Sequence, residues 1–306
     1  MNMQITPCNH VYIIGCGDIG GRVALRWITE KIAPTGIVAT KASIIHLESS
    51  GIEAEQMNLD APASALPQII PNSLIYYFVP PPAEGTQDSR CQRFLTLLSK
   101  QVNLPKRIIV MSTTGVYGDC GGEKIDEEQV PKPMADRALR RFDMENQLRD
   151  WCVQNSVELV ILRVGGIYGP RRLPLKRIQK GIPVLQEDLA PKTNRIHEED
   201  LADICIAAAK VETAFRIYNV SDGTDSNMTE YFYTLADHFN LPRPPAVDWQ
   251  EAERVMSKGM LSYLKESRRI DNSRMLSELG IKLCYPNLEK GLSEIDTEIN
   301  RDRLDK

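Results

Sequence analysis

An apolar run, Val11-Tyr12-Ile13-Ile14, passes straight into Gly15-Cys16-Gly17-Asp18-Ile19-Gly20, and no other feature of this chain narrows its possible folds so far. The glycines follow the spacing G-x-G-x-x-G. Gly15 permits a sharp strand-to-helix turn, Gly17 leaves the backbone bare for a close-lying group, and Gly20 lets the new helix pack tightly on the strand. A helix starting at Asp18 offers unpaired N–H groups and the positive end of its dipole to an anion. The pattern is informative because of its setting, after an apolar strand and at the head of a helix. The expected ligand is a dinucleotide diphosphate, with Gly15, Gly17, Asp18, Ile19 and Gly20 as contacts.

The rest of the chain continues the same rhythm. Further strands are expected at 37–40, 53–57, 74–79, 107–111, 157–162 and 215–220, and helices at 18–31, 90–101, 136–154, 198–210 and 229–239. Strands apolar throughout imply a parallel sheet covered on both faces. The fold class is therefore α/β, a Rossmann-type doubly wound parallel sheet with a smaller C-terminal substrate lobe. We expect residues 1–170 to form the core, with 195–221 returning to it, and 171–194 and 222–306 to form the lobe.

The cofactor's identity depends on the end of the second strand. An NAD site usually carries Asp or Glu there, bonding the ribose 2′-OH. The matching stretch, Val38-Ala39-Thr40-Lys41-Ala42-Ser43, has no acid. Lys41, helped by the hydroxyls of Thr40 and Ser43, could pair with a 2′-phosphate, or could be a solvated loop lysine. NADP is favoured, with NAD possible. Asp60 could meet the adenine amino group or cap a helix. Val79 and Pro80, closing the strand that runs into Pro81-Pro82, complete the expected cofactor contacts.

Bulk properties exclude several classes. A net charge of −4 in 306 residues argues against a nucleic-acid surface. Seven cysteines and four histidines contain no C-x-x-C and no metal-ligand spacing, so neither a disulfide framework nor a metal site is expected. No signal peptide and no run of about 18 apolar residues is present. A cytoplasmic protein with a small-molecule partner, and no membrane partner, is the simplest expectation.

Four more segments carry a family likeness. Met111-Ser112-Thr113-Thr114-Gly115-Val116-Tyr117-Gly118-Asp119, Leu162-Arg163-Val164-Gly165-Gly166-Ile167-Tyr168-Gly169-Pro170, Arg195-Ile196-His197-Glu198-Glu199-Asp200-Leu201-Ala202 and Tyr218-Asn219-Val220-Ser221-Asp222-Gly223 occur in that order. With the glycine turn, the chain resembles the extended short-chain dehydrogenase/reductases, the NAD-dependent epimerase/dehydratase family. The turn is one residue tighter than the family's usual G-x-x-G-x-x-G, and Val164 stands for a usual proline. The family's Tyr-x-x-x-Lys pair is missing: counting back from Glu145 puts Arg137 at the tyrosine position and Arg141 at the lysine position. In this the chain resembles the atypical, YeeZ-like subgroup.

The resemblance implies roles. Thr113 matches the Ser/Thr that bonds a reacting carbonyl, with Thr114 beside it on the substrate side. Arg141 could donate hydrogen bonds to the nicotinamide ribose. Arg137 cannot act as a proton donor, because an arginine stays charged at neutral pH. Arg137, Arg141, Glu145 and Arg149 also fit a solvated, salt-bridged helix stripe. Arg171, Arg172 and Arg195, with Lys176 and Arg177, could hold an anionic or sugar-nucleotide-like substrate. Two functions follow: an oxidoreductase or epimerase-like enzyme with a non-standard proton donor, or a non-catalytic NADP-binding sensor. The family often pairs subunits through core helices, so a homodimer is an expectation by analogy.

Overall fold

The computed structural model describes residues 8–295. The first seven residues and 296–306, the end of the expected lobe, lie outside the described residues. In chain order the strands are β1 (Val11–Ile14), β2 (Pro34–Val38), β3 (Glu53–Gln56), β4 (Leu74–Tyr77), β5 (Arg107–Thr113), β6 (Lys124–Ile125), β7 (Glu158–Val164), β8 (Gly166–Tyr168), β9 (Val184–Leu185), β10 (Lys192–Thr193), β11 (Arg195–His197), β12 (Phe215–Val220), β13 (Ser226–Asn227), β14 (Ala246–Val247) and β15 (Arg269–Ile270). The helices are α1 (Asp18–Thr29), α2 (Lys41–Ser49), α3 (Ser89–Leu98), α4 (Asp136–Asn155), α5 (Leu175–Gln179), α6 (Glu198–Ala209), α7 (Met228–His238), α8 (Trp249–Val255), α9 (Lys258–Leu264) and α10 (Ser273–Leu279).

Seven strands form one sheet in the order β12-β7-β5-β4-β1-β2-β3, and every pairing in it is parallel. Residues of one parity, such as Ile13, Tyr76, Ile109 and Val160, pack under α1, α6 and α10. Those of the other parity, such as Ile14, Tyr77, Val110 and Ile161, pack under α3 and α4. The central strands are thus buried on both faces, as their unbroken apolar composition requires. This is a Rossmann-type, doubly wound α/β fold. The chain leaves β1 toward β2 on one side and returns to β4 on the other. That reversal opens a crevice at the C-terminal ends of β1 and β4, where such sheets take their ligands.

The structure corrects two sequence expectations. The second strand is Pro34–Val38 rather than 37–40, and residues 41–49 form helix α2 instead of a loop. Pro34-Thr35-Gly36 reads poorly as a strand. Gly36 is nevertheless required: a Cβ there would lie 2.9 Å from Leu47 Cδ1 and 3.0 Å from Cys16 Sγ. Helix α2 escapes detection because only Leu47 of its nine residues is buried, so no apolar stripe marks it. Outside the large sheet, β8–β11, β6–β15, β9–β14 and β10–β13 make two-stranded pairs. A separate apolar cluster joins α5, α7 and residues 288–295. Among the described residues no helix is long and apolar enough to cross a membrane.

Candidate active site

The turn after β1 is built as its sequence spacing requires. Gly15 has φ +85°, and a Cβ on it would lie 2.7 Å from the Val79 amide nitrogen. The close approach of the turn to the end of β4 needs glycine. Gly15 and Cys16 both donate their N–H to Ile37 O. A Cβ on Gly20 would crowd Ile13 at 3.0 Å. By contrast, nothing lies within 4 Å of a Cβ built on Gly17. The space over the start of α1 is open, with no side-chain cap on that helix. Beside it lies a small cavity of about 170 Å³ lined by Gly15, Ala39, Asp60, Val79, Pro80 and Arg90. The residues fit an adenine dinucleotide: a bare phosphate turn next to an enclosed recess at the sheet's switch point.

Around this recess two expected contacts have other partners. Both Asp60 oxygens accept from Arg90, at 2.8 and 2.6 Å, while Arg90 Nη1 donates to Pro80 O at 2.9 Å. That ion pair holds the Asp60 carboxyl below its ordinary range. Arg90, which sequence reading did not single out, is therefore part of the recess wall. Thr40 caps α2, its hydroxyl accepting from Ser43 N at 3.2 Å and meeting Ser43 Oγ at 2.9 Å. Lys41 is the exposed first residue of α2, and neither it nor Thr40 lines the recess.

A second cavity, about 800 Å³, opens at the end of β5. It brings together Thr113, Thr114, Arg137, Arg141 and Arg195. The turn at Thr113 is fixed by Gly115 N donating to its hydroxyl at 3.1 Å. Arg141 reaches across α4 so that Nη1 donates to Val79 O at 3.2 Å and Met111 O at 3.3 Å. It thereby joins the ends of β4 and β5. Arg137 instead ties α4 to α9: it donates to Ser262 and Glu266, and its guanidinium lies 3.6 Å from the Tyr263 ring centroid. Arg171 is exposed and lies outside the cavity; its neighbour Arg172 and, on α5, Arg177 line the wall instead. Tyr231, Tyr263 and Arg268 also line it. They lie far along the chain from Thr113, and no local sequence signal points to them.

The reading of α4 as a solvated stripe is corrected by Glu145, which is 0% exposed. It accepts from Arg163 at 2.8 and 3.2 Å and from the Ser112 hydroxyl. Arg163 lies over the Tyr117 ring, and Tyr117 Oη donates to Asn219 Oδ1 at 2.7 Å. A buried polar seam thus runs from α4 across β5 and β7 to β12. Tyr117 is enclosed by it, and burial pushes its phenol up. His197 caps α6, and burial lowers its imidazole to about 4.

The charge of the large cavity is lopsided. Arg141, Arg177 and Arg195 line it without an ion pair to any carboxylate among the described residues. Arg177 donates to Pro183 O at 3.1 Å, and Arg195 to Ser226 Oγ at 2.9 Å while lying 3.7 Å from the Tyr231 centroid. Burial lowers all three guanidinium groups, yet arginines keep their charge at neutral pH. Partly desolvated cations without a carboxylate in ion-pair contact favour an anion in the cavity.

Comparison with known proteins agrees with this architecture. Residues 86–221 match the model of the NAD dependent epimerase/dehydratase family. The dTDP-L-rhamnose 4-epimerase of Burkholderia thailandensis is 25% identical over 183 residues, 55% of this chain and 47% of that protein. The dTDP-D-glucose 4,6-dehydratase of Homo sapiens is 26% identical over 132 residues, 40% of this chain and 37% of that protein. The matched stretches thus span about half or less of these relatives. A functionally unknown conserved protein from Silicibacter pomeroyi superimposes with a TM-score of 0.78 at 24% identity, covering 95% of this chain and 99% of that one. The UDP-glucose 4-epimerase of Thermotoga maritima gives 0.75 at 16% identity, with 96% and 99% coverage. The UDP-glucuronic acid 4-epimerase of Bacillus cereus, in complex with NAD, gives 0.71 at 16% identity, with 94% and 99% coverage. Residues 86–221 are thus similar to the NAD-dependent epimerase/dehydratase family, and the solved structures share the fold of the chain as a whole.

Proposed function

We propose that the protein is an NAD(P)-dependent oxidoreductase of the epimerase/dehydratase type, acting on a carbonyl or hydroxyl group of an anionic substrate. The observation that carries this reading is the large cavity at the end of β5, whose lining Thr113 shares with Arg141, Arg177 and Arg195. The glycine turn would hold the diphosphate, and the recess beside Asp60 the adenine. The nicotinamide, when bound, supplies or accepts a hydride. Thr113 would orient the substrate oxygen by a hydrogen bond. Arg141, anchored on two strand ends, would hold the nicotinamide ribose. Arg195 and Arg177 would fix the substrate's negative charge. Relatives and neighbours that act on or bind nucleotide sugars support a sugar-nucleotide-like substrate.

The finer assignments belong to the same proposal. NADP is favoured because β2 ends without an acid and Lys41 opens α2. Residues 1–170 with 195–221 would be the cofactor-binding core, and 171–194 with 222–306 the substrate lobe. We place the protein in the cytoplasm, as a possible homodimer, within the atypical subgroup that lacks the Tyr-x-x-x-Lys pair. One observation favours a second reading, a non-catalytic NADP-binding sensor: Arg137 occupies the position of the family's proton carrier and is bound to α9 instead.

Fluorescence titration with NADPH and NADH side by side tests the cofactor. Tighter NADPH binding is expected, and tighter NADH binding refutes the role of Lys41. A panel of anionic carbonyl compounds, followed by NADPH absorbance, separates the two readings. Turnover supports the enzyme; tight NADPH binding without turnover across the panel supports the sensor.

A further inference from the structure

Asp18, the first residue of α1, stands next to the open space over Gly17. Any diphosphate held by the turn's amides lies beside this carboxylate, and two like charges at such range repel. Two cations offset it. Arg22 Nε donates to Asp18 at 3.2 Å from one turn along the helix. Arg172, from the loop after β8, donates from Nη2 at 2.7 Å and Nε at 3.0 Å. Burial works to raise the Asp18 carboxyl, but Arg172 and Arg22 hold it below its ordinary value.

Arg172 is also tied behind. Its Nε lies 3.2 Å from Glu198, a carboxylate only 1% exposed that Arg22 Nη2 holds at 2.6 Å. Arg22 is shared further, with Glu199, which Arg26 also holds together with Asp203. Arg172 binds only Asp18 and Glu198 in this network. Arg172 Nη1 makes no hydrogen bond among the described residues, and the same side chain lines the large cavity. Its guanidinium therefore stands between the phosphate turn and the substrate cavity with a terminal nitrogen free. The planar fork of an arginine matches phosphate oxygens as well as it matches a carboxylate.

We propose that Arg172 is a diphosphate ligand of the bound dinucleotide: it exchanges its contact with Asp18 for a phosphate oxygen and closes the turn from the cavity side. This rests on the reading of the glycine turn as the dinucleotide site. Asp18 is then a competitor for Arg172, not a helper.

The competition gives the two residues opposite signs. In fluorescence titrations of the full-length protein, Arg172→Gln weakens NADH and NADPH by the same factor, about tenfold or more, because both share the diphosphate. Asp18→Asn tightens both, by a few-fold, since it removes a repelling charge and releases Arg172. Thermal unfolding of each variant without dinucleotide reports any loss of fold separately. Unchanged affinity in Arg172→Gln overturns the proposal, as does weakening by both substitutions, the result of a static strut. If the unsubstituted protein binds neither dinucleotide, the reading of the turn fails and the role of Arg172 fails with it. Binding by the unsubstituted protein that Arg172→Gln leaves unchanged removes only the latter.

Discussion

Substituting alanine for Gly17 separates the stability of the phosphate turn from its use. A Cβ at this position meets no atom within 4 Å, and the backbone φ of −84° is one that any L residue adopts. Gly17 is the N-cap of α1, and alanine is the poorer cap by about 1 kcal/mol. Alanine also narrows the unfolded ensemble, which returns about 0.4–1 kcal/mol. The two nearly cancel, so Tm should move by no more than about 2 °C in a chain of this size. The ligand side is different. The new methyl group fills the space over the start of α1 and keeps phosphate oxygens from the amides. Losing two charge-assisted hydrogen bonds at about 1.5 kcal/mol each amounts to ~3 kcal/mol, or about a hundredfold in affinity. Differential scanning fluorimetry and NADPH titration measure the two effects on one sample. Gly15→Ala is the contrast: its Cβ would lie 2.7 Å from Val79 N and 2.9 Å from Phe78 C at a φ of +85°, so it should lose the fold. Binding by Gly17→Ala within threefold of the unsubstituted protein would refute the assignment of the turn to a diphosphate.

Other outcomes can be checked independently. Lys41→Gln should weaken NADPH about tenfold and leave NADH unchanged; equal effects on both would remove the 2′-phosphate role. Glu145→Gln should cost about 3–5 kcal/mol in urea unfolding, because it strands Arg163 in the core, and Glu145→Met with Arg163→Met should recover most of that loss. Burial holds the Asp222 carboxyl up at about 6, against its hydrogen bonds from Thr224. The folded state therefore keeps a proton that the unfolded chain releases from about pH 4 upward. This stabilising contribution is complete below pH 4 and is lost as pH rises through 6. Asp222→Asn should remove that decline, gaining about 2 kcal/mol over the parent between pH 4 and 7; a parent-to-variant difference independent of pH would contradict it.

The sheet was readable because β1, β4, β5 and β7 are buried on both faces, and unbroken apolar runs announce such strands. The glycine turn was readable because the spacing of its three glycines directly after an apolar strand is itself a local signal, although the atom that demands Gly15 is Val79 N, far along the chain. Helix α2 was not, since it lies on the surface with one buried side chain. Strand β2 was shifted because Gly36 is chosen by the Cys16 and Leu47 atoms packed on it, not by strand propensity. Thr113 and Arg141, which line the large cavity, were singled out through the family likeness. The pairing of Glu145 with Arg163 was not foreseen, because charge along a helix ordinarily signals solvent. Arg172 and its neighbour Arg171 are alike in sequence and both exposed, and only the path of the loop after β8 decides which of them borders the cavity. Tyr263 comes to Arg137 from 126 residues away, a contact that no local pattern encodes.

Cys16 sits inside the phosphate turn, where a thiol at a helix start would ordinarily be reactive. Here it is 2% exposed, wedged between Gly20 and Gly36, and its burial raises the thiol to about 12. Alkylating reagents and peroxide at neutral pH should pass it by, so oxidative stress would spare the coenzyme's entrance. Cys284, the exposed cysteine, lies beside Asp200 in the first turn of α6, two residues from Glu198. A maleimide dye should therefore attach there first and leave the buried Cys16 unmodified.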